Sequence, residues 1–123
     1  MGSTFWLLVA EPNDADAQLL GALARLSACE AGQVAKVQFA ADAAEALEML
    51  RGRVFDLAVV SRDLPGAWAL EPGRLASQST PVVVMADEPI DTVLGVYCKQ
   101  AIPDLVHERI MLKHLGQHTP GTA

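Results

Sequence analysis

Apolar runs of strand length alternate along this chain with segments of helical spacing. The run "TFWLLVA" at 4–10 is short, continuous and closed by Glu11 and Pro12, which marks a buried strand. A helix follows, capped by Asn13 or Asp14, with Ala17, Leu20, Leu23 and Leu26 as its apolar positions and Gly32 as its stop. "VAKVQFA" at 34–40 alternates, as a strand at a sheet edge does. In "ADAAEALEML", 41–50, Asp42 stands three residues before Glu45 in a capping-box arrangement, Leu47 and Leu50 face inward, and Gly52 closes the helix. The third strand lies in "VFDLAVVSRDLPG", 54–66, whose apolar run from Leu57 to Val60 stops at Ser61 and runs into an Asp-Leu-Pro-Gly turn.

The pattern blurs after that turn. Pro72 and Gly73 fall inside "GAWALEPGRLASQST", and each disfavours a helix interior, by ~3 and ~1 kcal/mol. A short or broken third helix is expected there. "PVVVMA" at 81–86 is a β-branched strand, "EPIDTVLGVYCKQ" at 88–100 is expected to be helical, "DLVHE" at 104–108 a short last strand, and "RIMLKHLGQH" at 109–118 a final helix. Five strands alternating with helices imply an α/β domain: a five-stranded parallel sheet, doubly wound, with helices on both faces, because parallel strands need crossover connections. The carboxyl ends of such strands converge on one crevice, which places Ala10, Glu11, Ser61 and Ala86 around a common pocket.

Length and charge narrow the picture. The 123 residues suffice for one domain, read as 1–118 with a flexible tail or linker stub at 119–123. Fifteen acidic against nine basic residues give a net charge of −6, which repels phosphate backbones and argues against nucleic acid as a direct partner. Phe5–Ala10, the longest apolar run near the N-terminus, is too short for a bilayer span or a signal-peptide core, so no membrane association and a cytoplasmic location are expected. Cys29 and Cys98 lie far apart without metal-ligand spacing and read as reduced, buried thiols, a disulfide being the lesser option.

The order and spacing of these elements resemble the receiver domain of bacterial response regulators over residues 4–118. "LLVAEPNDADAQLL" resembles that family's first strand and helix, where an acidic pair follows the strand. "FDLAVVSRDLPG" resembles its third strand, where the phosphoacceptor aspartate precedes a proline by four residues. "TPVVVMA" resembles its fourth strand, ending in a hydroxyl residue and a small one, and "DLVHE" its fifth, ending in Lys-Pro. The resemblance implies a flavodoxin-like strand order of 2-1-3-4-5. It also implies a site. The acidic pair falls on Ala10 and Glu11, the phosphoacceptor on Ser61, the hydroxyl on Ala86 with Asp87 after it, the lysine on His107 followed by Glu108, and the coupled aromatic on Asp104. Only Glu11 and the Pro65 turn keep the family's chemistry.

Each departure has a consequence. An acyl phosphate needs an attacking carboxylate, which Ser61 lacks, and a serine nucleophile needs an adjacent base. The divalent ion that shields a phosphoryl group needs clustered oxygens, and Ala10 offers none. Mg2+ binding is therefore expected to be lost or weak, and no cofactor is expected. Two carboxylates ~5 Å apart repel by roughly 3 kcal/mol at an effective dielectric of about 20; removing acids lets the pocket close without metal. Ser61 is then expected to hydrogen-bond within the emptied pocket and Glu11 to pair with His107.

Other residues carry competing readings. Asp63 reads as a turn-capping carboxylate in preference to a relocated phosphoacceptor. Glu11, Asp63, Asp87 and His107 lack diagnostic metal spacing. Phe5 and Trp6 read as core. Trp68 is either an exposed anchor on a binding surface or packing over the broken helix, and Asp104, Met111 and Leu115 complete a candidate interaction surface. The sequence thus points to a non-enzymatic, phosphorylation-independent pseudo-receiver. It would act as a protein-interaction module in bacterial two-component-type signalling, with a protein partner, a second copy or a fused effector domain. The alternatives are a phosphotransfer-competent receiver using Asp63 and a small-ligand-binding flavodoxin-like domain, though "LPG" and "EPG" are turns and not phosphate cradles.

Overall fold

A computed structural model describes residues 4–66, 80–87 and 96–117. Its elements run β1 (Thr4–Ala10), α1 (Asp14–Glu30), β2 (Val34–Ala40), α2 (Ala43–Gly52), β3 (Leu57–Ser61), β4 (Val82–Ala86), β5 (Val96–Cys98), a 3-10 turn over Lys99–Ala101 and α3 (Ile102–Gln117). The five strands form one sheet in the order β2-β1-β3-β4-β5. Every pairing is parallel.

Local chemistry sets these boundaries. The Asn13 side chain accepts the Asp16 N–H at 3.0 Å and starts α1, and Asp42 accepts the Glu45 N–H at 2.8 Å and starts α2. Gly32, at φ 72°, ends the first helix–strand connection. The sheet is covered on both faces. Phe5, Leu7, Val9, Leu57, Val59 and Met85 pack with Ala17, Leu20, Ala24 and Ala28 of α1 and Ile102, Val106 and Ile110 of α3. Leu8, Ala10, Ala58 and Val60 pack with Ala43, Ala46 and Leu50 of α2, with Phe55 and Leu64. Burying each large apolar side chain contributes roughly 1.5–3 kcal/mol, so these two layers hold the fold.

The C-terminal third departs from the sequence reading. The fifth strand is Val96–Cys98, not 104–108, so the helix expected through 100 does not extend over these residues. "DLVHE" lies inside α3, which begins at Ile102. Pro103 and Asp104 in the first turn explain that start: proline loses no hydrogen bond there, and an acid favours the positive helix end. The expected break in the third helix, Trp68 and the 119–123 tail lie outside the described residues. Leu26 is 59% exposed and Cys29 is exposed, because the buried row of α1 runs instead through Ala17, Leu20, Gly21, Ala24 and Ala28. Cys98 is half-buried, and both thiols are free. Phe5 is core as expected. Trp6 is only half-buried, with the Arg53 guanidinium 3.3 Å from its ring centre and Phe55 edge-on to it.

Two polar clamps tie elements distant in sequence. Lys113 donates to the Thr4 carbonyl at 2.6 Å and to both Asp56 oxygens at 3.0 and 2.9 Å. The buried Phe55 N–H donates to Thr80 Oγ1 at 2.9 Å. Thr80→Val keeps the shape and strands that N–H, so it should lower unfolding free energy by about 1–3 kcal/mol. Denaturant unfolding of the variant against wild type checks this.

Candidate functional site

The carboxyl ends of β1, β3 and β4 are adjacent by register: Ala10 pairs with Val60, Ser61 with Met85, and Ala86 with Cys98. Ala10, Ser61 and Ala86 therefore gather at one end of the sheet, as the sequence implied. All three are buried.

Glu11, the first residue past β1, is the buried acid of this crevice, with its side chain 1% exposed. Its Oε2 accepts the Asn13 N–H at 3.2 Å, and its Oε1 lies 2.7 Å from Lys99 Nζ. Lys99 directly follows β5, and its ammonium also lies 3.5 Å from Asp16 Oδ2 and 3.5 Å from Asp87 Oδ1. One cation thus serves three carboxylates. The hydrogen bond to Glu11 raises the Lys99 pKa well above the usual lysine range. Burial opposes that shift, and the charges of Glu11, Asp87 and Asp16 reinforce it.

Ser61 is fully buried, and its hydroxyl turns back on its own chain, accepting the Asp63 N–H at 3.2 Å. The turn is held at several further points. Leu64 N–H donates to the Ser61 carbonyl, Arg62 N–H to the Met85 carbonyl of β4, and Ala43 N–H to the Pro65 carbonyl. Gly66 closes it at φ 76°, where an added Cβ would meet Ala43 Cβ at 3.1 Å. The expected hydrogen bond of Ser61 within the pocket is present. Asp63 stands exposed on the same turn and contributes its backbone N–H to it.

The pairing of Glu11 with His107 is corrected. His107 is an exposed residue within α3, and Lys99 is the partner of Glu11. With strand five ending at Cys98, the lysine position of the resemblance falls on Lys99, the following position on Gln100, and the aromatic position, three residues earlier, on Val96 instead of Asp104. Lys99 was missed because a three-residue strand leaves little periodic signal, and "VYCKQ" reads as the end of a helix. The overlooked cue was Pro103, which marks a helix start and leaves Val96–Cys98 to precede it as a strand. Among the described residues, no group of three or more His, Cys, Asp or Glu side chains is placed to hold a metal ion. A cleft of about 230 Å3 opens beside the ion pair, between α1 and the start of α3, with Leu19, Leu20, Leu23, Met85, Ile102 and Pro103 as its apolar lining.

Because the folded pKa of Lys99 is raised, its contribution to stability is complete below the unfolded value of 10.5 and is lost only as pH climbs through the higher folded value. Glu11→Gln should therefore destabilise the fold by about 1–3 kcal/mol, discounted for the partly exposed ammonium. The deficit should be flat across roughly pH 6–9. Chemical unfolding of both proteins across that range checks this; a step near neutrality would indicate a histidine partner instead.

No family model matches the sequence, and no curated protein matches it. Solved structures do. The signal receiver domain of the response regulator NarL from Mycobacterium tuberculosis matches with a TM-score of 0.69 at 16% identity, over 93% of this chain and 98% of that one. A CheY-like receiver domain from Methanospirillum hungatei JF-1 matches at 0.62 and 18%, over 94% and 97%. The chemotaxis response regulator CheY4 of Vibrio cholerae matches at 0.60 and 18%, over 86% and 98%. The chain has the fold of response-regulator receiver domains.

Proposed function

We propose that this chain is a receiver-type module of two-component signalling that regulates by binding protein, without phosphotransfer in its crevice. The observation that carries this reading is the Lys99 ammonium seated 2.7 Å from the carboxylate of Glu11, the one acid at the acidic-pair position. A receiver's divalent ion needs several oxygen donors in octahedral array. Here Ala10 supplies none, Oε1 of Glu11 faces Lys99, and Oε2 accepts a backbone N–H. The donor set does not fit Mg2+.

Phosphoryl acceptance meets the same obstacle. Ser61 has no carboxylate to form an acyl phosphate, and its buried hydroxyl already accepts the Asp63 N–H. Deprotonating it would need a base, and both Glu11 oxygens are engaged. The hydroxyl-and-aromatic switch of the resembled family has Ala86 and Val96 at its two positions. The module would therefore hold one conformation, act without enzymatic activity in the cytoplasm, and present surfaces to a partner, a second copy or a fused effector. Asp104, exposed on α3, half-buried Met111 and Leu115, 58% exposed, remain candidates for such contact. No helix among the described residues is long and apolar enough to cross a membrane.

Incubation with a small-molecule phosphodonor and Mg2+, followed by intact-mass measurement, should leave the mass unchanged. An acid-labile adduct mapped to Asp63, the exposed carboxylate of the turn, would replace this reading with phosphotransfer through a relocated acceptor.

A further inference from the structure

The α2 side of the sheet is covered only in part. β2 is an outermost strand, and its Val34, Lys36 and Gln38 pair in register with Thr4, Trp6 and Leu8. They share the face on which α2 packs over Leu8, Ala10 and Ala40. Val34 is nevertheless 56% exposed, and Lys36 and Gln38 are exposed beside it. The half-buried Trp6 has two cations at its ring: the Arg53 guanidinium 3.3 Å and the Lys36 ammonium 5.5 Å from its centre. Val54, next to Arg53, is 62% exposed. Among the described residues, no strand lies along the outer edge of β2.

Neither Lys36 nor Arg53 forms an ion pair among the described residues. The acids around them are otherwise placed. Asp56 is held by Lys113 and by the Trp6 N–H. Glu48 stands one turn before Arg51 on α2, where the two charges offset each other. Glu45 lies in the first turn of α2, at the far end of that helix. Glu30 belongs to α1, which packs on the opposite face of the sheet. The patch therefore keeps a net positive charge on a chain whose total is −6. One edge lysine is an ordinary guard against strand-to-strand aggregation. A second unpaired cation stacked on an indole adds the residue types that anchor interfaces.

We propose that the free edge of β2 docks an extended acidic segment of another protein, which adds to the sheet as a further strand. Main-chain hydrogen bonds along Val34–Ala40 supply the affinity. On the α2 face the segment's carboxylates meet Lys36 and Arg53. On the other face its apolar side chains extend the half-buried row of Val37 and Phe39. Charge selects this occupant over a second copy: two-fold pairing centred on β2 sets the two Lys36 side chains near each other. The chain's own acidic turn at Asp14 and Asp16 could reach a neighbour's edge only head to tail, a contact that does not close. A nucleic acid would run past the patch onto a surface that repels it. This inference rests on the interaction-module reading and deepens it by naming a surface and a partner chemistry. The two stand apart experimentally: phosphoryl labelling of a chain that still docks the segment overturns only the first, and an unlabelled chain that ignores it only the second.

The test is a nuclear magnetic resonance titration of the labelled full chain with a blocked hexapeptide of alternating valine and glutamate. Saturable shifts should appear at the Val34–Ala40 amides and the Trp6 indole, with a dissociation constant below ~1 mM at ~50 mM salt. Binding should weaken as added salt screens the charges. Lys36→Glu, at an exposed position, should raise the dissociation constant at least ~10-fold with the thermal midpoint unchanged. Arg53→Gln should weaken binding as well, and Glu30→Gln, on the opposite face, should leave it as in wild type. The same peptide with glutamine for glutamate should bind at least ~10-fold more weakly. No saturable shift at ~5 mM peptide, equal binding of the glutamine peptide, full binding by Lys36→Glu, or shifts centred elsewhere would each overturn the proposal. Tighter binding of a single-stranded DNA hexamer at the same amides, or self-association through β2 without peptide, would do the same.

Discussion

The ion pair between Lys99 and Glu11 is the constraint from which the character of this crevice follows. In the order β2-β1-β3-β4-β5, two strands separate β1 from β5. Glu11 leaves the first and Lys99 the second, so their 2.7 Å contact closes across the ends of β3 and β4. Asp16 on α1 and Asp87 after β4 lie 3.5 Å from the same ammonium. A buried carboxylate without a partner is costly. Removing the lysine would therefore disturb strand ends, a helix start and a loop together. One ammonium thus lies within 3.5 Å of three carboxylates at the end of the sheet.

The turn after β3 shows the complementary side of this economy. Where the resembled family carries an acceptor carboxylate, Ser61 uses its hydroxyl to hold the Asp63 N–H, and neighbouring backbone bonds fix the turn to β4 and α2. Asp63 is left outward-facing on a rigid support, and Gly66 is required by a close approach to Ala43. Shape is kept by backbone hydrogen bonding and packing, which do not depend on the acids that reactivity needs.

The first two-thirds of the fold was legible because its signals are strong and local. Continuous apolar runs mark β1, β3 and β4, Asn13 and Asp42 cap the helices they precede, and Gly32 stops the first. The end of the chain was not. β5 has three residues, too few for a period, and its neighbour "DLVHE" imitates a strand while belonging to a helix begun by Pro103. That one misplacement moved the crevice's cation from Lys99 to His107. It exchanged the ammonium that follows β5 for an exposed imidazole on α3. On α1, helical spacing alone could not tell the inward row from the outward one. Leu26 was placed inside when Gly21 and Ala24 are what touch the sheet, because close helix–sheet packing selects small residues. Ala10, Ser61 and Ala86, set by strand ends that were read correctly, stand where the sequence put them.

The crevice's polar groups pair with one another, Glu11 with Lys99 and the Ser61 hydroxyl with the Asp63 N–H. The most direct test is a nuclear magnetic resonance titration of the labelled chain with Mg2+ and then with beryllofluoride, a phosphoryl mimic. Amide signals of Glu11, Ser61 through Leu64, Ala86, Asp87 and Lys99 should stay in place throughout. Saturable shifts confined to those residues would show that the crevice opens to a cation and its anion, and would contradict a site closed by its own lysine.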